Sequence, residues 1–346
     1  MLHLSSRIMT GLCIGVTLTS AWALKAPAPA GYTIVDLGAA NGSSRSSFAV
    51  NARGEVAGSF LNKKNGETHA ARWTETTVTD LGTLGGEDSY ACAINASGQV
   101  VGFSFIKGNV YRHAVIWTDK HMSEIPTLGG RDSHAHAIND SGDIAGTFTP
   151  PGRNWERAFR YSRTGAGFMD LGTLGGANSG GLAINAKGQV AGYAALLKSD
   201  FVHAVVWTGT KITDLGALDG TNSFGLAINE AGQVAGYYQN RERANRAALW
   251  SGTTEINLGT LGGDESKAYG INNSGEVVGY AINSSNLHHA FRYARGRMTD
   301  LNTFLPSGTA WKLTDAFGIN DNGWIAGIGT LHEETHAFLL KPNVSQ

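Results

Sequence analysis

One recurring cassette constrains the fold of this chain more than anything else in it. Its sharpest element is Ala-Ile-Asn-x-x-Gly-x-Val-x-Gly, with small variations, whose Asn falls at Asn51, Asn95, Asn139, Asn185, Asn229, Asn272 and Asn320. Successive copies lie 44, 44, 46, 44, 43 and 48 residues apart. A second marker is His or Arg followed by Ala, with an aromatic residue four positions on in all but the last copy. It begins at His69, His113, Arg157, His203, Arg246, His289 and His336. Seven copies in constant order, with a period of about 40–50 residues, point to a propeller, solenoid or other array.

Within a unit the pieces read as short strands. In the second unit these are Tyr90–Asn95, Gln99–Phe103, His113–Trp117 and Met122–Ile125, rich in β-branched and aromatic residues and bounded by Gly, Ser, Asn and Asp. The 47 glycines and 7 prolines suit many tight turns. The Asn-x-x-Gly link suits a type I turn followed by a left-handed glycine. Four strands in about 44 residues make a propeller blade. A helical array would need an apolar period of 3.6, which is absent.

Several recurring motifs carry a family resemblance: Asp80-Leu-Gly-Thr-Leu-Gly-Gly86, Ala-Ile-Asn-x-x-Gly, and His-Ala-Phe, which stands at His289-Ala290-Phe291 and His336-Ala337-Phe338. Over about residues 32–341 the chain resembles the bacterial extracellular HAF-repeat family. The resemblance implies a secreted repeat protein and carries over no chemistry. Units three and five depart by placing Arg at the His position, and Glu124-Ile-Pro-Thr replaces Asp-Leu-Gly-Thr before the third unit's first strand.

Taken in order, residues 1–23 are expected to be a signal peptide. Arg7 precedes a mostly apolar run, Ile8–Leu18, and Ala21-Trp22-Ala23 is a small-x-small cleavage site. Residues 24–31 form a linker, and 32–346 a single domain with no membrane span in the mature protein. Loss of Arg7 alone leaves 26 Lys+Arg (27 minus one) against 28 Asp+Glu. That balance argues against nucleic acid as a partner. Cys92 aligns with Leu182, Leu226 and Phe317, as a small buried hydrophobe would.

Tyr32–Gly38 matches the fourth strand of the other units, whereas the last unit ends on its third strand, His336–Leu340. Pairing the two hides two open sheet edges. The expected fold is therefore all-β: a seven-bladed propeller of four-stranded blades, closed by the strand 32–38 completing the last blade.

In a ring, a residue repeated in every unit occupies seven separate places, so recurrence points to structure and singular residues point to function. Trp73, Trp117, Tyr161, Trp207, Trp250 and Tyr293 are expected in the core between blades. The His/Arg series donates N–H, and an acceptor recurs at fixed distance: His69–Asp80, His113–Glu124, His203–Asp214, Arg246–Asn257 and His289–Asp300, each 11 apart, and Arg157–Asp170, 13 apart. These are read as structural pairs across a hairpin, with His336 meeting Asp36 across the closure. Arg at two positions excludes a metal role for the series.

Two sets of turns share each face of such a disc. The first–second and third–fourth turns are short and uniform. The second–third loops and the inter-blade Leu-Gly-Gly-x-x-Ser links vary, and function belongs there. Candidate ligand-binding residues are Tyr90, Arg131, His134, Phe224, Lys267, Trp311 and Trp155. Exposed aromatics with mixed charge suit an extracellular glycan or protein. His134-x-His136 offers two imidazoles, too few for a metal site, and no cofactor motif is present. The expected function is a secreted monomer, extracellular or periplasmic, that binds rather than catalyses. The alternative is a polysaccharide hydrolase or lyase using two among Glu87, Asp88, Asp132, Asp264 and Glu265.

Overall fold

The first strands end in runs made mostly of small and apolar residues, and in Ser89-Tyr-Ala-Cys-Ala-Ile94 all six are buried. A strand covered on both faces reads this way because neither side meets water. The computed structural model describes residues 31–40, 48–62, 66–74, 77–119, 121–126, 129–218 and 220–343. The expected leader over 1–23 and all but the last residue of the linker lie outside the described residues.

The described strands form seven antiparallel four-stranded sheets, the blades of a propeller. In blades 1 to 6 the strands follow chain order, first beside second, second beside third, third beside fourth. Blade 2, for example, comprises Gly85–Ile94, Val100–Ile106, Arg112–Thr118 and His121–Glu124. Blade 7 takes Trp311–Ile319, Ile325–Leu331 and Glu334–Pro342 from the end of the chain. Its fourth place is filled by Tyr32–Ala39, antiparallel to Glu334–Pro342, with Thr33 opposite Lys341 and Ile34 opposite Leu340. The first strands of successive blades adjoin one another, and that of blade 7 adjoins that of blade 1.

The repeated Asn does more than make a turn. Its Oδ1 accepts from the backbone N–H four residues on, as in Gln99 to Asn95 at 2.9 Å and Gln189 to Asn185 at 3.0 Å. Its Nδ2 meanwhile donates to the backbone carbonyl of the Asn in the next blade. The links Asn51–Asn95 (3.0 Å), Asn95–Asn139 (3.2 Å), Asn139–Asn185 (3.0 Å), Asn185–Asn229 (3.1 Å), Asn229–Asn272 (3.2 Å), Asn272–Asn320 (3.3 Å) and Asn320–Asn51 (2.8 Å) make a complete cycle. Only a side chain with both a donor and an acceptor on one short amide satisfies both demands. The glycine three residues on has φ between 71° and 83° in all seven copies, the left-handed region that a Cβ disfavours.

A second seam lies farther out. The backbone N–H of the Ala in the His/Arg-Ala marker donates to the Ser Oγ that opens the next blade's buried run: Ala70 to Ser89 (2.9 Å), Ala114 to Ser133 (2.8 Å), Ala158 to Ser179 (3.0 Å), Ala204 to Ser223 (2.7 Å) and Ala247 to Ser266 (2.9 Å). Between blades 6 and 7 the link is longer and forms a 3-10 turn, Leu301–Phe304. There Asn302 takes over, exchanging two hydrogen bonds with the backbone of Leu313 at 2.7 and 3.0 Å.

Trp117, Trp207 and Trp250 are at most 1 % exposed and belong to clusters that bridge adjacent blades. Each contributes roughly 1.5–3 kcal/mol by area removed from water. Trp73 also donates its indole N–H to the Leu37 carbonyl at 2.9 Å, tying the N-terminal strand to blade 1.

Candidate functional site

Aligning the seven units on their Asn separates constant columns from variable ones. The residue directly before it is Val or Ile, two before Ala or Gly, and four before small. Five before, the column reads Tyr90, His134, Gly180, Phe224, Lys267 and Asp315 in blades 2 to 7, and its blade 1 member lies outside the described residues. The first strand enters each blade from the variable face and reaches its Asn at the uniform face, so this column sits toward the variable one. The cross-strand partners of the first five are Phe103, Thr147, Tyr193, Tyr237 and Tyr280, and Asp315 pairs with Ile328. One level of the ring is thus aromatic-rich and asymmetric within an otherwise repeating frame.

Its charged portion spans blades 5 to 7. Phe224 stacks on Tyr237 with centroids 4.9 Å apart, and Lys267 Nζ lies over the Tyr237 ring, 4.5 Å from its centroid. Tyr280, opposite Lys267, stacks on His288 at 3.8 Å and donates to Glu265 Oε2 at 3.5 Å. His288 Nδ1 is 3.7 Å from Asp315 Oδ1. Tyr269 stacks on Phe317 at 5.2 Å beneath them. Burial pushes the phenols of Tyr237, Tyr269 and Tyr280 upward, and Glu265 and Asp315 add to this at Tyr269 and Tyr280. Burial lowers the Lys267 pKa, against the opposing pull of Glu265 and Asp315.

The other candidates are placed differently. Tyr90 and His134 are buried, within 5.0 and 4.5 Å of Phe103. Trp311 is also buried, edge-on to His336 and Phe338. These three are packing residues rather than exposed contacts, because each lies on a strand covered by its neighbours. Phe224 remains half-exposed, and Arg131 is exposed. Trp155 is half-buried between the guanidinium groups of Arg153 and Arg157, at 5.5 and 5.4 Å. His136 Nε2 is 3.3 Å from Thr147 Oγ1, and burial pulls the imidazole down to about 4. Among the described residues no three His, Cys, Asp or Glu side chains gather as a metal site would require.

The five carboxylates proposed for catalysis divide by role. Asp88 accepts from Thr68 N at 2.8 Å and Asp132 from Arg112 N at 3.0 Å. In blades 4 and 5 the same column holds Asn178 and Asn222, which accept from Glu156 N and Val202 N at 3.3 and 2.9 Å. A neutral amide serves equally, so this job is structural. Glu87 and Asp264 are exposed, and Glu265 joins the tyrosine cluster.

The donor–acceptor pairs form on a diagonal of the third–fourth hairpin. His69 Nδ1 lies 2.8 Å from Asp80, His113 2.8 Å from Glu124, His203 2.9 Å from Asp214, His289 2.6 Å from Asp300 and His336 2.9 Å from Asp36. Arg157 donates to Asp170 at 3.3 Å. The Arg246–Asn257 pair is the exception. Asn257 donates to Tyr238 Oη at 3.0 Å, and Arg246 turns to the Asn245 carbonyl at 3.4 Å. Without a carboxylate there is no charge to hold the guanidinium.

No family model matches the chain, and no curated protein matches it. Solved structures do. The β-propeller domain of the Trilobed protease from Pyrococcus furiosus, described as having an open velcro topology, shares 9 % identity over 87 % of this chain and 97 % of its own, with a TM-score of 0.57. A puromycin-hydrolyzing peptidase from Mycobacterium tuberculosis shares 12 % identity over 90 % of this chain and 53 % of its own, with a TM-score of 0.47. TolB from Acinetobacter baumannii shares 14 % over 61 % and 53 %, with a TM-score of 0.43. This chain spans about half the length of the last two. The first likeness bears on the fold alone. Among the described residues no helix is long and apolar enough to cross a membrane.

Proposed function

We propose that this chain is an exported binding propeller of the HAF-repeat kind that takes a glycan or protein ligand at the variable face, without catalysis. The observation that supports this reading is the asymmetric level around Phe224, Tyr237, Lys267 and Tyr280, where one side of the ring abandons the repeat. Of these, Phe224 is half-exposed and offers a rigid ring as contact area at low entropic cost, while the buried Tyr237 and Tyr280 hold it and Lys267 in place. The use of Asp88 and Asp132 as backbone acceptors weighs against a polysaccharide hydrolase or lyase, since it removes two of its five candidate acids. Export is supported by the sequence of residues 1–23.

The test is a glycan array combined with a hydrolysis screen on protein purified from an exporting host. Retention of a ligand without release of product is expected. Product formation that disappears in Glu265→Gln would replace this reading with an enzymatic one.

A further inference from the structure

Lys267 is placed where a lysine is costly. The residue is 8 % exposed, and its neighbours on the ring are the phenols of Tyr237 and Tyr280. Among the described residues its ammonium makes no hydrogen bond and no ion pair, although Glu265 and Asp315 are near enough to oppose the effect of burial on it. In the constant columns of the first strand, a buried polar group is tied to a neighbour: Asn to the next Asn, Ser to the preceding blade's Ala. The face of the Tyr237 ring offsets part of that burial, but it accepts no hydrogen bond and carries no charge, so the ammonium has no anionic partner within contact.

We infer that Lys267 is the carboxylate-binding subsite for an acidic sugar, a uronate residue of a polysaccharide. This rests on the binding reading above and names the ligand class. Each remaining group at the cluster then has a use. The half-exposed Phe224 offers a ring face to the apolar side of a pyranose, as aromatic walls do for sugars. Glu265 and Asp315, both half-buried, can only accept as carboxylates, and sugar hydroxyls are the donors that suit them. A monoanion fits better than a phosphate dianion, which would bring a second negative charge beside those two carboxylates. The ligand reaches Lys267 at its small uncovered part, and the charge-assisted bond to a carboxylate supplies the anionic partner that the Tyr237 ring is not.

The test uses oligouronates of defined length and the same oligosaccharides with their carboxyls reduced to alcohols. Binding is followed by calorimetry, or by quenching of the tyrosine and tryptophan emission. Oligouronates are expected to bind at least tenfold more tightly than their reduced forms. Lys267→Met should abolish that preference while keeping the weaker affinity for the reduced forms, and Lys267→Arg should keep most of the preference. The melting temperature of Lys267→Met should stay close to that of the parent, because the substitution removes the desolvation of the ammonium and its contact with the Tyr237 ring together. Equal affinity for charged and reduced forms, a preference for sulfated sugars, or an unchanged preference in Lys267→Met would each overturn the carboxylate assignment and leave a glycan-binding propeller standing. Failure of every oligosaccharide to bind would overturn the uronate assignment and the glycan ligand with it, leaving a protein as the ligand of the binding reading.

Discussion

His136 stands in a column that holds Leu182 and Leu226 in blades 4 and 5, and it is 3 % exposed. Burial lowers its pKa from the ordinary 6.5 to about 4. The unfolded imidazole therefore takes up a proton at a pH where the folded one does not. Stability from this site is full above pH 6.5, falls as the pH drops toward 4, and is constant below that. Over the whole window the loss is about 3 kcal/mol. His136→Leu should flatten that part of the stability profile, measured by denaturant titration at pH 7.0, 5.5 and 4.5; an unchanged slope would show that His136 is not buried neutral. The residue's character was legible from its alignment with leucines. Lys267 was not legible in the same way: it occurs once, and nothing in the sequence says that Tyr237, 30 residues away, lies under its ammonium.

The third–fourth hairpin is the smallest element whose logic repeats. Its acidic residue holds the His or Arg two residues before its cross-strand partner, and also accepts the N–H of the glycine two positions on, as Asp214 does from Gly216 at 2.8 Å. Asn257 keeps the second task, from Gly259 at 2.8 Å, and loses the first, which is why the Asp-Leu-Gly motif tolerates Asn. The pairs are half in solvent, with side-chain exposures of 22 % for His203 and 40 % for Asp214, so their worth is modest. A double-mutant cycle on His203→Ala and Asp214→Ala should return a coupling of about 0.5–1.5 kcal/mol. Strict additivity would show that the two do not interact. The spacing of 11 residues made these pairs readable in the sequence; that Arg246 lacks a carboxylate was equally visible, but its consequence needed Tyr238 in place.

At the scale of the whole molecule, the Asn cycle and the N-terminal strand join the ends of the chain at different radii. Inside, Asn320 reaches the Asn51 carbonyl. Outside, Tyr32–Ala39 runs beside Glu334–Pro342. The seven-fold repeat and the leftover strand made blade number and closure legible. The cycle was not, because a period shows that Asn recurs and not which carbonyl its amide reaches. Asn229→Ala orphans the Gln233 N–H and takes from the Asn272 carbonyl one of its two donors, leaving it Gly275 N, and should cost about 1–3 kcal/mol in chemical denaturation. A loss near zero would mean that the belt is incidental. The most direct measurement concerns the outer junction. Thr33 and Lys341 are directly opposed, so Thr33→Cys with Lys341→Cys should form an intramolecular disulfide under mild oxidation. The bond closes nearly the whole chain as one loop and should raise stability by about 2–5 kcal/mol over the reduced form. Thr33→Cys combined instead with Thr335→Cys, at the far end of the last strand, should not crosslink. Crosslinking of the second pair, or failure of the first, would contradict a ring closed by its N-terminal strand.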